Sequence, residues 1–490
     1  MREDWEKLNY QDAVFKIPTS KEKLKQKEYS QIGKFPIVDQ GQKLIGGFSD
    51  DSKRLLDCDL PIIVFGDHTK CVKLINFKFI PGADGTKVLQ PKSHIEPKYI
   101  YYLTQILVKK IEDKGYARHY QHIEKEDLPL APLPEQRAIV SKIEELFSDL
   151  DKGIDDLKKA KDQLVIYRQA VLKKAFDGEL TKEWREEQIN LPSADELIEQ
   201  IKEEREKQYK KQIEDWKKAV KDWEINGEKG LKPIKPKSLK LVSSLKADDI
   251  KKLTSIPEVW KYHYLAYAGD LGRGKSKHRP RNDKRLFGGP YPFFQTSEVK
   301  AQEIIVKYSQ TYSEFGLKQS KLWPAGTLCI TIAANIAETG FLGIDACFPD
   351  SIVGYTPYDK IIDIKYIDYF FQSAKRRISA YAPATAQKNI NLATLENLLM
   401  PYCSKKEQAQ VVKEIESRLS ICDKVEQNIN ESLEKAKALR QSILKKAFDG
   451  KLLSLAEIAR CKEANDYEPA VVLLAKIKAV KNKNKKQKNK

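Results

Sequence analysis

Two stretches of this 490-residue chain carry residue types at the spacing of known catalytic motifs. Gly269 to Ser276, GDLGRGKS, fits the phosphate-loop pattern of a glycine, four residues, then Gly-Lys-Ser. That chemistry needs a strand before the loop and a helix after it, whose first amides hold the phosphates. Here the pattern runs into KHRPRND, with Pro280 close behind Ser276, so a long helix is not expected and neither is nucleotide binding. Pro349-Asp350, followed by Asp363-Ile-Lys365, fits the loose pattern of metal-dependent nucleases, in which two acids hold a metal and a lysine steadies the charge. So permissive a pattern arises by accident, and no cleavage is expected from it. The sequence has no G-x-G-x-x-G, no Asn-Pro-Pro-aromatic loop and no Gly-x-Ser-x-Gly elbow. The cysteines at 58, 71, 329, 347, 403, 422 and 461 include no C-x-x-C pair, and the six histidines are dispersed. No zinc site can be read from them, and reduced thiols are expected. No catalytic residue, no metal ligand and no cofactor of its own are assigned to this chain.

Residues suited to binding are more plentiful. The run from Arg273 to Arg285 contains Arg273, Lys275, Lys277, Arg279, Arg281, Lys284 and Arg285, with His278 and Asn282 among them. It leads through two glycines and a proline to Gln295 and Thr296. Fixed positive charges neutralise phosphates and release counterions, while Arg, Lys, Asn and Gln also pair with base edges. Further upstream, FGDHTKCVK offers His68, Thr69, Lys70 and Lys73 in a turn between two β-type runs. Lys87 with Arg118, His119, Gln121 and His122 forms another polar set. Gln387, Lys388 and Asn389 form a small polar step late in the chain. These are the candidate DNA contacts; for each, ordinary loop surface is the competing reading.

The overall balance agrees with an anionic partner. There are 88 Lys+Arg against 70 Asp+Glu, a formal net charge of +18, and eight of the lysines lie between Lys476 and Lys490. A hydrophobic share of 41% is enough for packed cores, which excludes a wholly disordered chain. No apolar run approaches the roughly 20 residues needed to span a bilayer, and MREDWEKLNYQD lacks the apolar centre of a signal peptide. A cytoplasmic chain with no membrane partner is expected. The lysine-rich end after Ala479 is expected to be disordered.

A repeat organises the positions of these residues. Glu135 to Leu180 realigns with Glu407 to Leu452 without a gap, and 18 of the 46 positions are identical, including the whole of LKKAFDG. Ile143, Leu150, Leu157, Leu164 and Val171 recur every seven residues, with Ile139, Leu146, Ala160 and Tyr167 offset beside them. In the second copy Ile415, Cys422, Ile429, Ala436 and Ile443 repeat, flanked by Val411, Val425 and Leu439. Sustained heptads predict two long helices, each packed along a partner helix by a narrow apolar seam. Pro132 and Pro134 mark one start and Pro401 the other, while Gly178 and Gly450 mark the stops. The echo continues outward: residues 193–201 match 468–477, and KYIYY from Lys98 matches KYIDY from Lys365.

Each predicted helix therefore follows a globular block of β-type runs ending in a helix. The expected segments are a recognition block at 1–131, then 132–249 with a long helix at about 134–177, a second helical segment and a connector. They continue with a second block at 250–401, a long helix within 402–455, and a short helix and basic tail at 456–490. The fold class is α+β. A direct repeat closed by antiparallel helices would have approximate two-fold symmetry, like a homodimer fused into one chain.

Two unlike blocks, each followed by one copy of a repeated helix, resemble the specificity subunit of Type I restriction–modification systems. The resemblance is carried by PLPEQRAIV from Pro132, the paired LKKAFDG endings and RGKSKHRP from Arg273, with FGDHT from Phe65 and GADGTK from Gly82. It covers nearly the whole chain; the second copy departs by having Ser404-Lys405-Lys406 where the first has Pro132-Leu133-Pro134. The resemblance implies two target recognition domains, each reading part of a split, asymmetric site in double-stranded DNA, separated by an antiparallel two-helix spacer. It further implies docking of two modification (methyltransferase) subunits and of restriction/translocase subunits, with S-adenosylmethionine, ATP and magnesium held by those partners. A stand-alone DNA-binding regulator or architectural protein is the alternative. Rigid helices are expected to hold the two readers about one helical turn, roughly 10 base pairs, apart.

Overall fold

The computed structural model describes residues 2–82, 84–111, 118–229, 232–236, 245, 250, 253–300, 304–333, 336–358, 361–380 and 390–488. They form two compact units, Met1–Ala160 with Asn428–Lys490, and Lys161–Gln427. The principal helices are α1 (Pro97–Lys110), α2 (Leu133–Phe176), α3 (Ala194–Ile225), α4 (Ile364–Ala380), α5 (Lys405–Phe448) and α6 (Ala470–Lys488). The repeated segments are α2 and α5, each 44 residues long. Both stop as the sequence predicts: Gly178 has φ +78° and Gly450 φ +75°. Each glycine lets the next amide reach back, Glu179 N–H to the Lys174 carbonyl at 2.9 Å and Lys451 N–H to that of Lys446 at 2.8 Å. A β-carbon would strain this left-handed cap.

The heptads supply the seam, but less of it than predicted. Ile143 and Val171 are buried on α2, whereas Leu150, Leu157 and Leu164 are only half-buried. On α5, Ile415, Cys422, Ile429, Ala436 and Ile443 are all buried. Of the offset positions, Ile139 and Val411 are buried, but Tyr167 is 50% exposed, Val425 40% and Leu439 50%. Two helices in contact cover one stripe each, so residues offset from that stripe stand outside it.

Within the first unit, a four-stranded antiparallel sheet orders Val14–Ile17, Thr86–Pro91, Ile62–Gly66 and Val72–Ile75. A smaller sheet of Gly47–Ser49, Phe35–Val38 and Ile80–Pro81 completes the block. Its core joins Leu8, Tyr99 and Leu103 to Ile143 and Phe147 of α2 and to Leu444 and Phe448 of α5. Arg440 of α5 pairs with Asp151 of α2.

Within the second unit, Gly269–Arg273, Ile352–Pro357, Leu328–Thr331, Thr339–Leu342 and Ile304–Ile305 lie side by side in that order. This sheet and α4 share a core with Leu172 and Phe176 of α2 and with Val411, Ile415 and Leu419 of α5. Arg168 meets Asp423 at 2.7 Å, while Thr181, just past the end of α2, meets Glu407 near the start of α5, so the helices run antiparallel. A shift of 272 turns Arg168 into Arg440 and Asp151 into Asp423, so one clasp is made twice. Exposed ion pairs of this kind add little stability, and their contribution is to register.

The echo beyond the helices is also structural. Ala194, Leu197 and Ile201 bury one face of α3, and Ala470, Leu473 and Ile477 bury the same face of α6. The lysine-rich end differs from expectation, because α6 continues as helix to Lys488. That stretch has no Gly or Pro, and lysine is a fair helix former, so a helix started by the buried residues is not interrupted.

His263 gives the second unit a pH dependence. Its Nδ1 accepts the Tyr264 amide at 2.9 Å, which requires the neutral ring. Burial, reinforced by Arg205, pushes its pKa down from 6.5 to about 4. The unfolded chain then binds more protons in that interval, so stability present above pH ~6.5 is lost as pH falls towards 4. At ~1.4 kcal/mol per pKa unit, discounted for the ring's partial exposure to solvent, the loss is on the order of 1–2 kcal/mol. Denaturant midpoints at pH 7.5 and 5 should converge in His263→Gln; an equal drop in both proteins would refute the assignment.

Candidate nucleic-acid interface

The basic run leaves the strand Gly269–Arg273 and continues without a long helix. The phosphate-loop spacing thus begins on a strand, and no helix opens behind it. Gly274 is required because a β-carbon there would lie 2.2 Å from the Pro349 carbonyl. Gln319 Oε1 accepts the amides of Lys277 at 2.6 Å and His278 at 3.0 Å, and Ser320 donates to the Lys275 carbonyl at 2.9 Å. With its backbone pinned, the loop divides its charges into two kinds. Arg281 pairs with both oxygens of Asp350 at 3.1 Å, and Arg285 pairs with Asp283 at 2.7 Å. Arg273 and Arg279 donate to loop carbonyls. Lys275, Lys277, Asn282 and Lys284 are exposed.

Arg285, its own amide and then His278 hold the Asp283 carboxyl well below the usual carboxylate range. Phe315 lies beside this cluster, its ring 5.1 Å from the Arg285 guanidinium. Gln295 is exposed and bonds Gln310 at 2.9 Å; Thr296 is half-buried. The nuclease-like acids have internal uses: Asp350 takes Arg281, and Asp363 accepts the Lys365 amide at 2.8 Å while Lys365 pairs with Glu416.

In the first unit, the sequence divides candidates that the fold brings together. The hairpin between Phe65 and Val72 turns through Lys70 at φ +59°. Asp67 at its root is buried and accepts the Tyr120 amide at 2.8 Å and Lys87 Nζ at 3.2 Å. The Asp67 carbonyl takes the His119 amide at 2.9 Å. Residues 66–71, 84–87 and 118–122 are therefore one surface. On it, Thr69, Arg118, Gln121 and His122 are exposed, and His68 and Lys70 are half-buried.

Three candidates are corrected. Lys73 is buried and donates to the carbonyls of Asp39 at 2.8 Å and Lys43 at 2.5 Å, because it shares a strand face with buried Ile75. Lys87 is bound to Asp67, and His119 is buried with its ring nitrogen Nδ1 2.8 Å from the Asp67 carbonyl. Lys73 and His119 hold the surface together from inside, and half-buried Lys87 ties its edge to Asp67. Gln387, Lys388 and Asn389 lie outside the described residues.

How each block is joined to its helix was not apparent from the sequence. Glu135 on α2 is fully buried and accepts Trp5 Nε1 at 3.1 Å and Arg2 at 3.0 Å. Its repeat equivalent Glu407 accepts Trp260 Nε1, Arg185 and Thr181, each at 2.8 Å. The neighbouring Gln136 takes the Glu96 amide at 2.9 Å and donates to the Ala131 carbonyl. Gln408 does the same with Asp363 and Cys403. Tyr99 donates to the Pro129 carbonyl and Tyr366 to that of Pro401. Unlike blocks thus sit in one repeated collar. The signal was available: each block opens on a Trp at the head of a strand, and each helix on Glu-Gln.

Residues 2–160 and 266–435 match the family model described as Type I restriction modification DNA specificity domain. The chain belongs to this family. Among curated specificity-family relatives, it is 26% identical over 359 residues to the Type I restriction enzyme EcoBI specificity subunit of Escherichia coli, covering 72% of this chain and 64% of the relative. It is 24% identical over 436 residues to the EcoDI specificity subunit of Escherichia coli, covering 85% and 84%. The chain therefore spans under two thirds of the EcoBI subunit's length and most of EcoDI's. It has the fold of a chain from a structural study of complex assembly and conformational transition in the type I R-M system, with a TM-score of 0.61 at 16% identity over 92% of this chain and 99% of that one. The HsdS subunit from Thermoanaerobacter tengcongensis gives a TM-score of 0.52 at 16% identity, over 92% and 98%. Among the described residues no helix is long and apolar enough to cross a membrane, and no group of three or more His, Cys, Asp or Glu could hold a metal.

Proposed function

We propose that this chain is the DNA-reading, non-catalytic subunit of a Type I restriction–modification complex. Each block reads one part of a split, asymmetric site in double-stranded DNA, and the paired helices carry two modification subunits and the restriction/translocase subunits. S-adenosylmethionine, ATP and magnesium belong to those partners. The observation that carries the reading is the repeated collar: two dissimilar blocks, one presenting the run from Arg273 to Arg285, are fixed by the same residues to two copies of one helix. Identical mounts with different faces suit two readers of different sequence. Apolar residues left in solvent on the helices, Val165 at 58% and Ile166 at 69% exposed beside Tyr167, suit a docked protein.

The purified chain is expected neither to methylate nor to cut DNA alone, and to support adenine methylation once the modification subunit is added. Methyl transfer by the chain alone, or none by the mixture, would overturn the reading.

The two kinds of charge in the basic loop give a sharper expectation. Lys275→Ala, Lys277→Ala and Lys284→Ala remove phosphate contacts, so each should weaken binding to all sequences and lower the salt slope by about one unit. Titrating DNA binding of the assembled complex against salt concentration measures this; an unchanged slope in all three would take the loop off the DNA.

A further inference from the structure

The first unit contains an open groove of about 640 Å³ between the last turns of α1 and the last turns of α5. Its floor is apolar, formed by Leu103, Leu107, Leu128, Leu444 and Phe448. Its rim carries Lys7, Lys109, Lys110 and Lys445 against Asp127 and Asp449.

The second unit has the corresponding place, and there it is covered. The repeat turns Leu444, Phe448 and Asp449 into Leu172, Phe176 and Asp177. Strand register puts Tyr262, opposite Pro401, where Lys7 stands opposite Pro129, and Leu399 where Asp127 stands. Onto Tyr262, Tyr264 and Leu399 pack Leu245, Leu253 and Ile256 of the connector. The Tyr262 hydroxyl donates to the Thr254 carbonyl at 3.0 Å, and Pro257 closes over Gly178. In the first unit Arg2 lies over Gly450 as Pro257 lies over Gly178, but no described residue fills the groove beyond it. The wall residues follow this difference: Tyr and Leu where the chain covers them, Lys and Asp where it does not.

We propose that the open groove is a docking site for a polypeptide segment of the modification subunit, one segment per chain. The partner's identity rests on the function proposed above; the kind of occupant comes from the covered copy, which holds a peptide. The connector there is anchored through Leu245, Leu253 and Ile256. The partner segment should bring similar aliphatic anchors, with acids of its own to complement the lysines of the open rim.

A photo-crosslinking amino acid at Ser442, which lines the groove, tests this in the purified complex with the modification subunit. The control is the same amino acid at Ala170, its repeat equivalent. Irradiation should join Ser442 to the modification subunit, whereas the Ala170 position should give an adduct within the chain, to the connector. Lys109→Glu with Lys445→Glu should weaken binding of the modification subunit about tenfold, two rim attractions becoming repulsions, with unchanged thermal unfolding. An assembled complex that gives no adduct from Ser442, or one only to a second copy of this chain, overturns the proposal and leaves the function standing. Failure of the unaltered chain to assemble with the modification subunit at all brings down both.

Discussion

A hybrid in which another specificity subunit's block replaces residues 250–401 will direct methylation to a target altered in one half only. The reason lies in how the block is held. Trp260 attaches it to Glu407 and the Asp363 amide attaches it to Gln408, whereas its basic loop is pinned by its own Gln319 and Ser320. The polar surface around Asp67 is held by Tyr120 and Lys87 of its own block. Each misread base pair costs about 1–3 kcal/mol, so three or four changed positions abolish recognition of the old half-site. Mapping methylated adenines in a host carrying the hybrid reads both halves at once. A change in both halves, or in neither, would mean that the blocks are not independent readers.

Glu407→Leu will cost about 3–5 kcal/mol of stability, because it leaves Arg185 without its carboxylate in a largely buried setting. Trp260 and Thr181 lose their acceptor in the same step. Replacing Arg185 as well should return part of the loss, since the uncompensated charge goes with it, and a double-mutant cycle of denaturant midpoints isolates that coupling. Additive losses would show that the ion pair is incidental to the collar. Glu135→Leu should cost less in the first unit, because Arg2 keeps Asp4 as a partner when Glu135 is lost.

The helices were legible because their signals are local and periodic: heptads, a repeated LKKAFDG and a glycine at each end lie within one stretch of chain. The collar was not, because Trp5 and Trp260 lie 130 and 147 positions from the glutamates they bond. Only the fold makes that pairing visible. The candidate surface was half legible. Composition located the run from Arg273 to Arg285, but which of its charges are held by Asp350 and Asp283 depends on loop geometry. Lys73 misled for a simpler reason: it lies two residues from Ile75, and strand alternation puts both on the buried face. Lys87 and His119 misled because their partner, Asp67, looked like one more turn residue.

The collar has a consequence for heredity. Its socket, Glu-Gln, belongs to the repeated helix, and its plug, a tryptophan and a backbone amide, belongs to the block. A genetic crossover within the repeat, outside the block, keeps every plug matched to a socket whatever lies between. A lineage can therefore acquire a new reader as a cassette, without first passing through a protein that cannot fold. Substitutions at socket positions should be far rarer among viable recombinants than substitutions anywhere on the reading loops.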